Sequence, residues 1–137
     1  MSIESIADLL VLFRQTQLLP PDRYEEVERD QASFSDPRSL AKHLVRLCLL
    51  TTFQFNQTFQ GNGRDLVVSH YRLLDPLGQG GVSQVYKAWD SRRKCMAAVK
   101  VVKPELISNS EAVARFQREI RAVMRLSHPN IVRPFDF

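Results

Sequence analysis

The spacing of apolar positions is helical up to about residue 62, alternates from residue 71, and turns helical again from about residue 108 before a last strand. In the first part Ile6, Leu9, Leu10 and Phe13 recur every three or four positions and predict a helix. Leu18-Leu19 runs into Pro20-Pro21, and proline suits a first helical turn. Residues 22–30 then read as a second, acidic helix with Tyr24 and Val27 turned inward. After a linker at 33–36, Asp36-Pro37 reads as an N-cap followed by a first-turn proline, and Leu40, Leu44 and Leu47 form the apolar stripe of a third helix. Leu49-Leu50-Thr51-Thr52 leads into a fourth helix. There Thr51 and Gln54 have capping-box spacing, Phe55 and Phe59 stand one turn apart, and Gly61-Asn62-Gly63 marks the end.

These helices echo one another. Phe13-Arg14, Leu18-Leu19, Pro20 and Tyr24 are matched by Val45-Arg46, Leu49-Leu50, Thr51 and Phe55, an offset of 31 to 32 residues. Two helical hairpins packed as a four-helix unit are the expected arrangement. No group of residues there has the pattern of a reaction centre: His43 stands alone and the carboxylates follow a solvated face. A packing or docking module is the expected role of residues 1–62.

Residues 63–70 form a connector whose Leu66-Val67-Val68 could begin the first strand. Three strands follow, at 71–77, 83–89 and 95–102. Pro76 places its missing N–H on an edge or beside a bulge of the first. Lys103-Pro104-Glu105 ends the third strand. Ser108 and Glu111 then have capping-box spacing for a helix reaching Leu126, with Val113, Phe116, Ile120 and Val123 on its apolar face. Residues 131–137 read as a last strand.

Composition bounds the picture without deciding it. A chain of 137 residues with 44% hydrophobic content holds one ordinary domain or two small ones. No apolar run is long enough to cross a bilayer, and Met1-Ser2-Ile3-Glu4 lacks the basic start of a secretory signal, so the expected location is cytoplasmic. Cys48 and Cys95 have no metal spacing and read as reduced thiols serving as small hydrophobes. Residues 1–63 carry 6 Lys/Arg against 8 Asp/Glu, and residues 64–137 carry 13 against 7. The basic half is dispersed over strands and a helix rather than gathered in a patch, with Arg92-Arg93-Lys94 at a hairpin tip. It fits attraction of a phosphate-bearing ligand and does not call for a nucleic acid.

Candidate chemistry is concentrated in residues 77–100, which read as strand, glycine turn, strand, charged turn and a strand ending near a lysine. Gly78, Gly80 and Gly81 lie between two apolar runs. Glycine has no Cβ to hold a ligand off the backbone, so such a turn can lay its N–H groups over an anion. The second hairpin, turning at 90–94, would return Lys100 beneath it, and a fixed cation under amide donors is what a nucleoside triphosphate requires. GxxxxGK[ST] is absent, which excludes a P-loop. The dinucleotide fingerprint needs a helix directly after the glycines, whereas Val85-Tyr86-Lys87-Ala88-Trp89 alternates as a strand. A glycine-rich hairpin turn and a surface lysine remain the plain alternatives when each is taken singly.

Gly78-Gln79-Gly80-Gly81-Val82-Ser83-Gln84-Val85 and Ala97-Ala98-Val99-Lys100 resemble the glycine loop and the lysine strand of protein kinases. Glu119 follows on a predicted helix, 19 residues after Lys100, and His128-Pro129-Asn130-Ile131-Val132 comes next. In this order the four features resemble the amino-terminal lobe of a eukaryotic-like (Hanks-type) Ser/Thr protein kinase of bacteria, over residues 71–137. The expected fold is α+β: the four-helix module read from the spacing, followed by what the resemblance implies, a partial kinase lobe with an antiparallel sheet and one packed helix. It also implies roles. Amides from Gly80 to Ser83 would cover the β- and γ-phosphates of ATP, Val82 would form the loop tip, and Gln79 would belong to the loop. Val85 and Ala98 would line the adenine pocket with Leu77 at its edge. Lys100 would hold the α- and β-phosphates, and Glu119 would orient it. Ser83 departs from the family's third glycine, and Val82 from the bulkier residue common at the tip.

The sequence contains no HRD…N loop, no DFG and no APE segment, the parts that supply the catalytic base and both Mg2+ ligands in such kinases. The expectation is therefore the ATP-binding start of a longer kinase, inactive by itself, that needs Mg2+ and a protein substrate in its full-length form. In the family a further strand lies between the one after HPNIV and the lysine strand; without it, residues 131–137 would pair directly with 95–102 or stay loose, and either way an apolar edge is open to self-association. The alternative is a non-catalytic interaction protein: a helical docking unit, free to bind a partner or itself through residues 1–62, joined to a degenerate half-lobe.

Overall fold

The computed structural model describes residues 2–79, 83–102 and 110–124, with backbone only at 79, 83, 102, 112, 116, 119, 120 and 122–124. The order is α1 (Ile6–Thr16), α2 (Pro21–Asp30), α3 (Pro37–Arg46), α4 (Thr52–Gln57), β1 (Val67–Val68), β2 (Tyr71–Gln79), β3 (Ser83–Asp90), β4 (Cys95–Val102) and α5 (Ser110–Met124). The strands form one antiparallel sheet in the order β1-β2-β3-β4. Residues 103–109 and 125–137, with the HPNIV motif and the expected last strand, lie outside the described residues.

The chain divides into two compact units. One comprises Met1–Leu77 and Tyr86–Val99, the other Gly78–Val85 and Lys100–Phe137.

In the first unit the helices begin where the sequence supplies caps. The Ser5 and Thr51 hydroxyls accept from the N–H groups of Asp8 and Gln54, and the Asp8 and Gln54 side chains return the bond in two capping boxes. Asp36 Oδ1 accepts from the Ser39 N–H at 2.9 Å, with Pro37 in the first turn. Leu9, Leu10, Phe13, Leu18, Leu19, Val27, Leu40, Ala41, Leu44, Leu50 and Leu66 make one buried cluster. Each fully buried leucine is worth about 1.5–3 kcal/mol relative to exposure, so this cluster is the main source of stability in residues 1–66. Gln17 (φ 55°) and Cys48 (φ 61°), just past α1 and α3, take the same left-handed conformation at the offset of the sequence echo.

Several details depart from the sequence reading. Leu47 caps the end of α3 and is 38% exposed, because the helix stops at Arg46 and the left-handed Cys48 turns the chain away. Both cysteines are exposed and unbonded to each other, not buried hydrophobes. Helix α4 gives way at Thr58 to a wide π turn in which Gly61 (φ 88°) reverses direction. Val67 and Val68 do not lead into the long strand. They fold back on it through a Ser69-His70 hairpin, pairing with Arg72 and Tyr71. Pro76 lies beyond that two-residue ladder.

The β3–β4 turn, residues 91–94, is organised by Asp90. Its carboxylate is fully buried, accepts from the N–H groups of Arg92 and Arg93 at 2.9 Å each and from the Arg93 guanidinium at 3.2 Å, and lies 3.3 Å from His70 Nε2. Burial pushes the Asp90 pKa up, but the Arg93 and Arg92 hydrogen bonds and His70 pull it further down, leaving it below the usual carboxylate range. A depressed folded-state pKa contributes stability above the ordinary aspartate value that is lost as pH falls through the folded value. The urea midpoint should therefore drop between about pH 5 and about pH 2, and Asp90→Asn should show a shallower drop from a lower starting value. Parallel curves for the two proteins would remove Asp90 as the cause.

Gly63 packs on buried Leu12: a Cβ built there would sit 2.5 Å from Leu12 Cδ2. Gly63→Ala should cost about 1–3 kcal/mol in urea denaturation, with part of the loss recovered by adding Leu12→Val. An unchanged midpoint would contradict this packing.

Candidate functional site

The site candidates follow from strand alternation. On β3, Tyr86 and Ala88 face the small sheet core with Tyr71, Leu73, Ala97 and Val99. Val85 precedes Tyr86 and so lies on the opposite face. On β4, Ala97 and Val99 belong to that core, which turns Met96, Ala98 and Lys100 to the other face, where all three are exposed. Val85, partly buried, and the exposed Ala98 and Lys100 are thus each turned away from the sheet core by the alternation of their own strands.

Leu77 and Ala98 belong to the first unit, where Leu77 is 61% exposed and takes no part in the sheet core. Gly78–Val85, Lys100 and the helix carrying Glu119 belong to the second. Gly78 is exposed, and a Cβ built on it would meet nothing within 4 Å, so the backbone there is open to approach. Gln79 ends β2 and Ser83 begins β3, both described by backbone only. Gly80, Gly81 and Val82 lie outside the described residues. Glu119 falls on α5, its side chain outside the described part.

Gln84 was not singled out from the sequence. Its amide nitrogen Nε2 donates to the Gly78 carbonyl at 2.6 Å and to the Val85 carbonyl at 3.3 Å, tying the two ends of the glycine turn together. The available signal was a glutamine at a strand start directly after the glycines, long enough to reach back across the hairpin.

Among the described residues no group of three His, Cys, Asp or Glu is placed to hold a metal ion.

A model of the protein kinase domain matches residues 71–137. Those residues belong to the protein kinase family. The kinase segment is 43% identical over 68 residues to a probable serine/threonine-protein kinase of Clostridium perfringens, CPE1738, covering 50% of this chain and 10% of that protein. It is 42% identical over 74 residues to the serine/threonine-protein kinase PksC of Streptomyces coelicolor, covering 54% and 13%. Against PknD of Mycobacterium tuberculosis the figures are 40% over 67 residues, covering 49% and 10%. The chain thus spans 10–13% of the length of these relatives. Its kinase segment is of the bacterial serine/threonine type.

The Gln84 contact makes its own prediction. Gln84→Leu should loosen the turn by about 0.5–1.5 kcal/mol, the usual net value of one hydrogen bond, read as faster amide exchange at residues 78–84. Unchanged exchange there would show that the bond does not order the turn.

Proposed function

We propose that residues 71–137 bind ATP as the start of a serine/threonine protein kinase. Under this reading the amides from Gly80 to Ser83 cover the β- and γ-phosphates, Gly78, Gln79, Gly81 and Val82 belong to the nucleotide-binding loop, and Val85 and Ala98 line the adenine with Leu77 at its edge. Lys100 neutralises the α- and β-phosphates, and Glu119 orients Lys100. The observation that carries the proposal is the register of β4. Along that strand Ala98 and Lys100 are exposed, while Ala97 and Val99 are packed in the sheet core. A lysine that merely ended a solvated strand would need no such partner, whereas a phosphate-binding lysine next to a small, flat alanine leaves room for a purine. The open approach to Gly78 supports the same reading.

In the full-length protein this lobe would present ATP for transfer to a protein serine or threonine in the cytoplasm. No helix among the described residues is long and apolar enough to cross a membrane. Family kinases also use Mg2+, whose ligands lie in the DFG and catalytic-loop motifs. The sequence has neither motif, and the residues described do not form a site for the ion. No step of the transfer is therefore assigned to these residues beyond gripping and orienting the nucleotide. Residues 1–62 are read as a helical module, 63–70 as its connector and 71–137 as the kinase segment.

The test is titration with a fluorescent ATP analogue. The wild-type chain should bind, and Lys100→Ala should weaken binding by about 2–5 kcal/mol, as expected for removing one member of a desolvated charge contact. Equal affinity of the two proteins would overturn the assignment of Lys100.

A further inference from the structure

The amino-terminal helices are not covered by the kinase match, yet they take hold of a kinase strand. Three consecutive residues of β2 are engaged. Arg72 Nε donates to the Gln17 carbonyl at the end of α1, at 3.0 Å. The Leu73 carbonyl accepts from Gln54 Nε2 at 3.0 Å, and the Leu74 carbonyl accepts from the Thr51 hydroxyl at 2.6 Å.

The last two bonds use what a capping box leaves over. Thr51 Oγ1 accepts from the Gln54 N–H at 3.0 Å, which frees its own hydrogen for Leu74. Gln54 Oε1 accepts from the Thr51 N–H at 2.9 Å, which leaves its NH2 for Leu73. Gln54 is 2% exposed and Thr51 is half-buried, so these are interior bonds. Phe53, between them in sequence, packs with Tyr86 at 5.8 Å between ring centroids and joins the sheet core of Tyr71, Leu73 and Ala88. Strand β1 pairs with only Tyr71 and Arg72, so the helical segment takes over where that ladder stops.

We propose that the amino-terminal helices act as a built-in clamp on β2, with Thr51 and Gln54 holding the Leu73 and Leu74 carbonyls and so fixing the strand from which the glycine turn springs. Gly78 follows Leu74 by four residues on the same strand. Thr51 and Gln54 are positioning residues: they touch no nucleotide and act through β2. A module kept free for an outside partner would not spend a buried glutamine and a helix cap on this strand. The proposal rests on the ATP reading only for its consequence at the glycine turn; the clamp itself stands on the Thr51, Gln54 and Arg72 contacts.

Gln54→Glu separates the two jobs of the side chain. A glutamate serves the capping box as well as glutamine does, but as a carboxylate it has no hydrogen for the Leu73 carbonyl. Amide exchange of the full chain should become about tenfold faster at residues 71–79, with α1 unchanged, while Thr51→Ser, which keeps both bonds, should match wild type. Should Gln54→Glu fail to fold, Arg72→Met removes only the contact to Gln17 and should speed exchange at 71–74 about threefold. Wild-type protection of β2 in the folded Gln54 variant, or in Arg72→Met where that one must serve, would overturn the clamp. The same proteins are titrated with the fluorescent ATP analogue, and Gln54→Glu should bind several-fold more weakly. Equal affinity would overturn the claim that the clamp reaches the glycine turn. If the wild type does not bind the analogue at all, the ATP reading fails, and exchange alone decides the clamp.

Discussion

The alternation of side chains along β3 and β4 is the constraint on which the rest of the molecule depends. It gives one sheet two chemistries. Tyr86, Ala88, Ala97 and Val99 turn to a small core that the helical segment completes with Phe53. Val85, Ala98 and Lys100 turn the other way. A shift of either strand by one residue would exchange these sets, burying the lysine and exposing the core. The Asp90 carboxylate, caught by the turn N–H groups that follow it, pins the β3–β4 hairpin against such a shift.

The helical segment acts on the same sheet by a different means. Its own cluster of leucines accounts for its stability, and beside the Phe53 packing it holds β2 by hydrogen bonds, one fully buried at Gln54 and one half-buried at Thr51. A polar contact of this kind adds little net energy when made and costs much when broken, because the orphaned carbonyl stays desolvated. It therefore specifies position more than it adds stability. Under the proposed ATP reading, that is the property wanted in a strand that continues into the glycine turn.

Much of this was legible in the sequence, and the reasons are local. The bounds of β4 at Cys95 and Val102 follow from a charged turn before it and Lys103-Pro104 after it. The caps at Asp36 and Thr51 are set by residues three apart in sequence. What escaped was either short or distant. Val67–Val68 is too brief a strand to show a period. The break of α4 at Thr58 lies inside a run that continues the helical spacing through Phe59. Leu47 fits its stripe, but the positive φ of Cys48 ends the helix first, and nothing in the residue type announces that.

The site was legible as a set of residue types and not as a set of contacts. Glycines, Lys100 and Glu119 stand out through their spacing; the Gln84 bond to Gly78 and the Gln54 bond to Leu73 do not, because a partner 6 or 19 residues away leaves no periodic trace. The most direct measurement is an NMR titration of the uniformly 15N-labelled chain with ATP. The account predicts amide shift changes at residues 78–85 and 98–100, with the amides of α1 unmoved. No change in 78–100 at millimolar nucleotide, or changes confined to residues 1–62, would contradict it.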